Sequence, residues 1–216
     1  MKKIAEKLAG QLKKYPRQAH PDEAHLSWLS SLLDTYHIYD TALGIELEAE
    51  EKRRGRAVAC RQGCTGCCLR PTAPVTELEL MGIWWYAVGF PEADNKKKVQ
   101  ARLLGRRQSA ECPFLLEGSC SIYAMRPLAC RILHVFGRPC RPDEIPVETR
   151  PADIWVPSRD VGRKAVMPLL GYFGFSTTQQ KEKAFNEGFI PAHSLAMNEL
   201  DWAPLAQALQ ESDNRA

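Results

Sequence analysis

The sequence predicts a mainly α-helical fold: a helical domain with a small β-hairpin beside a cysteine-rich metal-binding core. Three observations lead there. Apolar residues recur at helical spacing over several segments, and no strands alternate with helices as a parallel sheet requires. Four of the eight cysteines fall in the stretch CRQGCTGCC at positions 60–68. With 216 residues the chain can bury a sizeable core without disulfides. Hydrophobic residues at 44% and charged residues at 25% are ordinary globular values. The net charge of +3, from 29 basic and 26 acidic residues, is too balanced to require nucleic acid as a partner. The opening MKKIAEKLAGQLKKYP has no continuous apolar stretch and no small-residue cleavage site. The most apolar run, 78–90, is interrupted by Glu79, Gly82 and Gly89. The expectations are a cytoplasmic location and no membrane segment.

The elements follow in order. Ile4, Leu8 and Leu12 place a short amphipathic helix before Pro16. A long helix is expected from about Asp22 to Arg56, with Leu26, Leu29, Leu32, Leu33, Tyr36 and Leu43 as its apolar stripe. Glu48 with Lys52, and Glu50 with Arg54, are i,i+4 pairs on it. Thr76 and Glu79 have the spacing of a capping box and open a helix that runs to about Val88 and stops at Gly89 and Pro91. The next segment sets Val99 and Leu103 on one face, with six basic residues between Lys96 and Arg107. That basic run reads first as a solvated helix face and second as a site for an acidic partner.

CPFLLEGSCSIY, residues 112–123, reads as a hairpin turning at Glu117-Gly118. A three-residue turn over Glu117, Gly118 and Ser119 would place Cys112 and Cys120 on one face and is favoured if both are ligands. Pro127 suits the first turn of a helix running to Phe136 and ending at Gly137, which sets Cys130 and His134 at i,i+4. Five prolines make 138–157 an irregular connection or a wrapped arm. Two further helices are expected, from about Ser158 to Leu170 and from Ser194 to Leu209, with the serines as N-caps. The organisation that results has N-terminal helices over 1–57, a cysteine-cluster domain over 58–137, and a proline-rich connection with C-terminal helices over 138–216, together one compact unit.

Eight cysteines in a reducing cytosol point to metal or redox chemistry, because disulfides are rarely kept there. Cys60, Cys64 and Cys67 form C-x3-C-x2-C, and Gly63 and Gly66 let the loop bend so that the thiolates converge. Clustered thiolates repel one another unless a cation or an iron–sulfur core neutralises them. The adjacent Cys67 and Cys68 diverge and do not both face one tetrahedral ion. With Cys68, Cys112, Cys120 and Cys130 the candidate ligands number seven. Cys140 stands evenly between ligand and spectator, and His134 is read first as a core histidine and second as a reserve ligand. Thiolates exclude magnesium and calcium and leave zinc against iron–sulfur. The x3 spacing and the scattered second set tilt toward iron–sulfur, since closed zinc sites build from C-x2-C knuckles. The spacing is also similar to that of radical S-adenosylmethionine enzymes. Gly66 stands where those enzymes carry an aromatic residue, and no partial barrel is predicted, so that reading is set aside.

CRQGCTGCC, then VTELELMGI, then CPFLLEGSCSIYAMRPLACR, occurring in this order over about Cys60 to Arg131, resembles the YkgJ-type cysteine-cluster family, also called CxxCxxCC, a zinc- or iron-chelating domain. The resemblance implies that Cys60, Cys64, Cys67, Cys68, Cys112, Cys120 and Cys130 are the chelating cysteines, with Arg126-Pro127 and Arg131 matching the family's RP and CR signatures. A flagellin lysine N-methylase contains a similar domain. No glycine-rich strand-turn-helix site for S-adenosylmethionine is visible here, so that activity is not carried over. Cys140 and everything after about Val135 lie outside the resemblance. The leading expectation is therefore a metal-binding protein holding an iron–sulfur cluster or zinc through two separated motifs. The alternatives are a redox or group-transfer enzyme using that centre, with Arg126 and Arg131 fixing an anion or balancing charge, and an interaction module with a structural zinc and a protein partner.

Overall fold

The computed structural model describes residues 2–69, 73–90, 93–105, 111–141 and 144–213. It is mostly helical with small antiparallel two-stranded sheets, as the sequence predicts. Among the described residues no helix is long and apolar enough to cross a membrane. The chain folds as two compact units, one of residues 1–58 and 155–193, the other of residues 59–154 and 194–216. Residues 138–154 and 194–216, grouped by sequence with 155–193, thus fold with the cysteine segment.

In the first unit, helix Lys2–Lys14 buries Leu8 and packs on the long helix Ser27–Arg54. The long helix starts later than its sequence suggests. Pro21–Ala24 forms its own 3-10 turn, capped reciprocally by His20 and Glu23. Arg17 then ties the connection down, bonding Glu23 at 2.6 Å and Asp34 at 2.8 Å. Leu29, Leu32, Tyr36 and Leu43 are buried as the stripe requires, and Gly55, at φ 62°, ends the helix in the left-handed region. Both predicted i,i+4 pairs form, Glu48 to Lys52 and Glu50 to Arg54.

The helix expected over 158–170 is two, Arg159–Ala165 and Met167–Tyr172, broken at Val166 because Pro168 cannot donate into the preceding turn. Ser158 holds the N-cap position, but its hydroxyl bonds the buried Glu46 carboxylate at 2.6 Å instead of the helix amides. A helix absent from the sequence reading, Thr178–Asn186, opens with a capping box between Thr177 and Gln180.

The second unit is built on a core of Ile83, Val99, Leu103, Phe114, Ile122, Trp202, Leu205 and Leu209. Full burial of such side chains contributes about 1.5–3 kcal/mol each. Phe114 and Trp202 meet edge to face at 5.0 Å, and the indole N–H donates to the Met197 carbonyl. Helix Glu77–Val88 opens with the predicted Thr76–Glu79 capping box. Helices Ala93–Leu104 and Ala203–Asp213 pack together, the former burying Val99 and Leu103 and setting Lys98 between Asp94 and Glu117. The end of the basic run, 106–110, lies outside the described residues.

Three expectations are overturned in this unit. Ser194 does not cap a helix: Ser194–Ala196 is a strand antiparallel to Pro74–Thr76, and the last helix begins at Ala203, whose N–H donates to the Asp201 carboxylate. The hairpin has a two-residue turn, not a three-residue one. Leu116 pairs with Ser119, and Glu117 (φ 48°) and Gly118 (φ 74°) give the primed turn that matches strand twist. Its strands are only two residues long, so Cys112 lies before the ladder in a turn and escapes the face-alternation rule. Finally, the helix after Pro127 spans only Ala129–Ile132. Leu133 turns extended and His134–Val135 is a strand, because its backbone finds partners elsewhere: the Val135 carbonyl accepts the Ala59 N–H at 2.7 Å, and Phe136 N–H donates to Asp153.

Candidate metal centre

The loop carrying the first four cysteines is two successive tight turns. Cys64 N–H donates to the Arg61 carbonyl and Cys68 N–H to that of Thr65, with Gly63 at φ 86° in the first and a 3-10 turn over Gly66–Leu69 in the second. Both ends are anchored by backbone. Val135 N–H donates to Cys60 Sγ at 3.3 Å, and Cys112 N–H donates to the Cys68 carbonyl at 2.7 Å. The second bond joins the loop to the turn before the hairpin, so the two cysteine motifs are stitched at Cys68 and Cys112.

Cys120 follows on the hairpin's second strand and Cys130 on helix Ala129–Ile132. Two buried charged groups position them. Glu79, 2% exposed, closes its own capping box and also accepts the Leu128 N–H at 2.7 Å, fixing the chain two residues before Cys130. Burial pushes its carboxyl upward, against the pull of the Leu128 and Thr76 donors. Arg131, 3% exposed, donates to the Arg126 and Ala124 carbonyls and so holds the bend at Arg126-Pro127 closed.

The proline-rich arm brings Cys140. A Cβ placed on Gly66 would stand 2.7 Å from the Cys140 Cβ, so the loop and the arm are in contact only because residue 66 is glycine. Arg150 donates weakly to Cys140 Sγ at 3.8 Å and bonds Glu144 at 2.8 Å. Glu144 also takes both Arg138 guanidinium nitrogens and the Arg141 N–H. The Arg138 guanidinium beside it, with these other donors, holds the Glu144 carboxyl down at about 2.

All eight cysteines line one cavity of about 410 Å³. Apolar side chains including Ile122, Pro127, Leu133, Ile145 and Val147 complete the wall, with Tyr123, Arg126 and Glu144. Each of the seven sequence-predicted ligands is there, and so is Cys140. His134 is not among the lining residues. It is buried, with Nδ1 3.3 Å from the Ile132 carbonyl, which places it in the core. The Gly66 contact and the Glu144–Arg150 network were not read from the sequence. An arginine–carboxylate network spread over an irregular arm leaves no periodic trace, whereas the glycine-cysteine spacing was visible and lacked only its partner.

The thiols interact in a chain. Cys60 S–H donates to Cys64, which lowers the Cys64 thiol to about 6, helped by the Gly66 and Arg61 amides, and raises that of Cys60. Cys67 donates to Cys68 and is raised; Cys68 donates to Cys112 and is pushed up to about 12. Burial raises Cys120 and Cys140 and takes Cys130 up to about 12. Cys64 is thus drawn toward the thiolate at neutral pH, and loading the cavity with a cation displaces protons from the thiols that are raised. Among the described residues, no three His, Cys, Asp or Glu side chains converge on one point as a single ion requires. The sulfurs stand instead around the wall. Their chemistry fits a soft metal. Their spacing fits a group wider than one ion, or thiols that rotate inward about χ1 on loading.

Fold and cavity define a class: helical proteins that gather thiols from a short loop, a hairpin, a helix and an arm around one chamber. Within that class, residues 59–148 match the family model CxxCxxCC, whose description is putative zinc- or iron-chelating domain. The match runs past the sequence resemblance, which stops near Arg131, and takes in Cys140. No curated protein and no solved structure matches the chain.

Proposed function

We propose that the cavity binds a polynuclear metal centre through cysteine thiolates, an iron–sulfur cluster in the first instance. The ligands are drawn from Cys60, Cys64, Cys67, Cys68, Cys112, Cys120 and Cys130, with Cys140 as an eighth candidate. The observation that carries this reading is that all eight cysteines line one cavity too large for a single ion. Among the described residues of the wall the carboxylate is Glu144, and it is committed to Arg138 and Arg150, which favours sulfur as the donor. An iron–sulfur cluster would supply electron storage or an anchoring point for substrate; the protein's part is to hold thiolates, exclude bulk water with the apolar wall and set the local charge. Free thiols in this number fit a reducing compartment such as the cytoplasm.

A second reading has an observation of its own. Eight cysteines on one wall are enough for two four-thiolate sites. Two separate zinc ions would match that number. Iron, zinc and acid-labile sulfide are to be counted per chain on protein purified anaerobically without a metal-chelating tag. Iron with equimolar sulfide and visible absorption supports the cluster; two zinc ions and no colour support the pair; neither metal removes the proposal. Cys64→Ser and Cys140→Ser should each lower the metal content, and retention of full content in both would sink the ligand assignment.

A further inference from the structure

We propose that Arg126 is the counter-charge of this centre, donating its Nε–H to metal-bound sulfur on the Cys120–Cys130 side of the cavity. The inference rests on the metal-binding reading above. Arg126 lines the cavity, and its guanidinium lies over the Tyr123 ring, 4.1 Å from the centroid. Stacking fixes the plane of the guanidinium and therefore the direction of its donors. Its Nε is buried and, among the described residues, makes no hydrogen bond. The contrast with Arg131 is instructive. Arg131 uses Nε and Nη2 on the carbonyls of Arg126 and Ala124, so its role is to build the bend. The same bend presents Arg126 with a donor left over.

Among the described residues no carboxylate on the cavity wall answers that donor, because Glu144 is held by Arg138 and Arg150. Cys120 and Cys130 line the same cavity as Arg126. The guanidinium charge favours their thiolate forms, opposing the burial that raises both. Four thiolates on a divalent ion, or around a doubly charged cluster, carry a net negative charge. A hydrogen-bonding cation beside them stabilises that charge, and N–H···S bonds are a recognised means of tuning thiolate-bound metals.

The test uses the full chain, with zinc for affinity by chelator competition and cobalt(II) as a spectroscopic probe. Arg126→Met should weaken zinc binding by about 10–100-fold, the range for loss of an outer hydrogen bond to a ligand. It should also move the thiolate-to-cobalt charge-transfer band to lower energy, since the sulfur loses a hydrogen bond. Arg126→Lys should recover part of the affinity and none of the planar donation. The metal-free proteins should melt together. Equal zinc affinity and an unshifted cobalt band in Arg126→Met would overturn the inference while leaving the metal reading intact, and so would an affinity loss tracked fully by a lower metal-free melting point. If the unaltered chain binds no metal, the metal reading fails first and this inference with it.

Discussion

Gly66 stands where no other residue fits. Its backbone does not occupy the left-handed region, so the requirement is space: a methyl group there would meet the Cys140 Cβ at 2.7 Å. Gly66→Ala should therefore destabilise the second unit by about 1–3 kcal/mol, as overpacking does, because the obstacle is the root of a side chain and not its flexible end. Denaturant titration checks the cost, and metal content checks its functional side; a variant with unchanged midpoint and unchanged metal would show that the arm moves freely. The position also marks what the sequence discloses. Glycine between cysteines announces a bending loop, and that much was legible. That one glycine is there for the sake of a cysteine far along the chain was not, because a close approach between distant segments has no local signature. Cys140 was undecided for the same reason: isolated among prolines, it carries no spacing that would tie it to the cluster.

Elements whose cause is local were legible and those whose cause is distant were not. The capping box at Thr76 and Glu79 needs only residues three apart, and it formed as read. His134 looked helical because Pro127 starts a helix, yet Ala59 and Asp153 draw the backbone around it into an extended path. Glu79 joins the two kinds of cause, since it caps its own helix and receives Leu128 N–H. Glu79→Ala would orphan the amides of Thr76 and Leu128 and the Thr76 hydroxyl, and should cost about 2–4 kcal/mol in thermal or denaturant unfolding. Glu79→Gln, which keeps an acceptor, should cost less; equal losses would show that charge rather than hydrogen bonding matters.

The arm over 138–153 has a different vulnerability. Glu144 titrates at about 2 beside Arg138, below its ordinary value. A depressed carboxylate contributes stability that is present above the ordinary carboxylate range and is lost as pH falls through the folded value. Lowering pH from about 5 toward about 2 should therefore loosen the arm progressively, followed by the reaction of Cys140 with a pyridyl disulfide, a reagent that still captures thiols in acid. Glu144→Gln should show high Cys140 reactivity already at neutral pH and no such acid transition.

At the scale of the whole molecule, each unit has its own buried interior, and the cysteine cavity belongs entirely to the second. Binding energy at a site absent from the unfolded chain is folding energy for the part that builds it. Removing metal with a chelator under anaerobic conditions should thus lower hydrogen-exchange protection in residues 74–88 and 112–135, and should leave the long helix Ser27–Arg54 protected by its own stripe. Uniform loss across both units would contradict the division. The strand Ser194–Ala196, which pairs with Pro74–Thr76 and leads into the cavity-lining Met197, has a consequence for how the protein is made. On a ribosome the thiols of the CRQGCTGCC loop emerge long before the strand that completes their enclosure. Through that interval the wall lacks Met197 and the strand that leads to it, and the thiols are more open to mispairing and oxidation. The newborn chain is therefore at its most fragile in the window between those two events, and a reducing environment during synthesis matters more to it than to the finished fold.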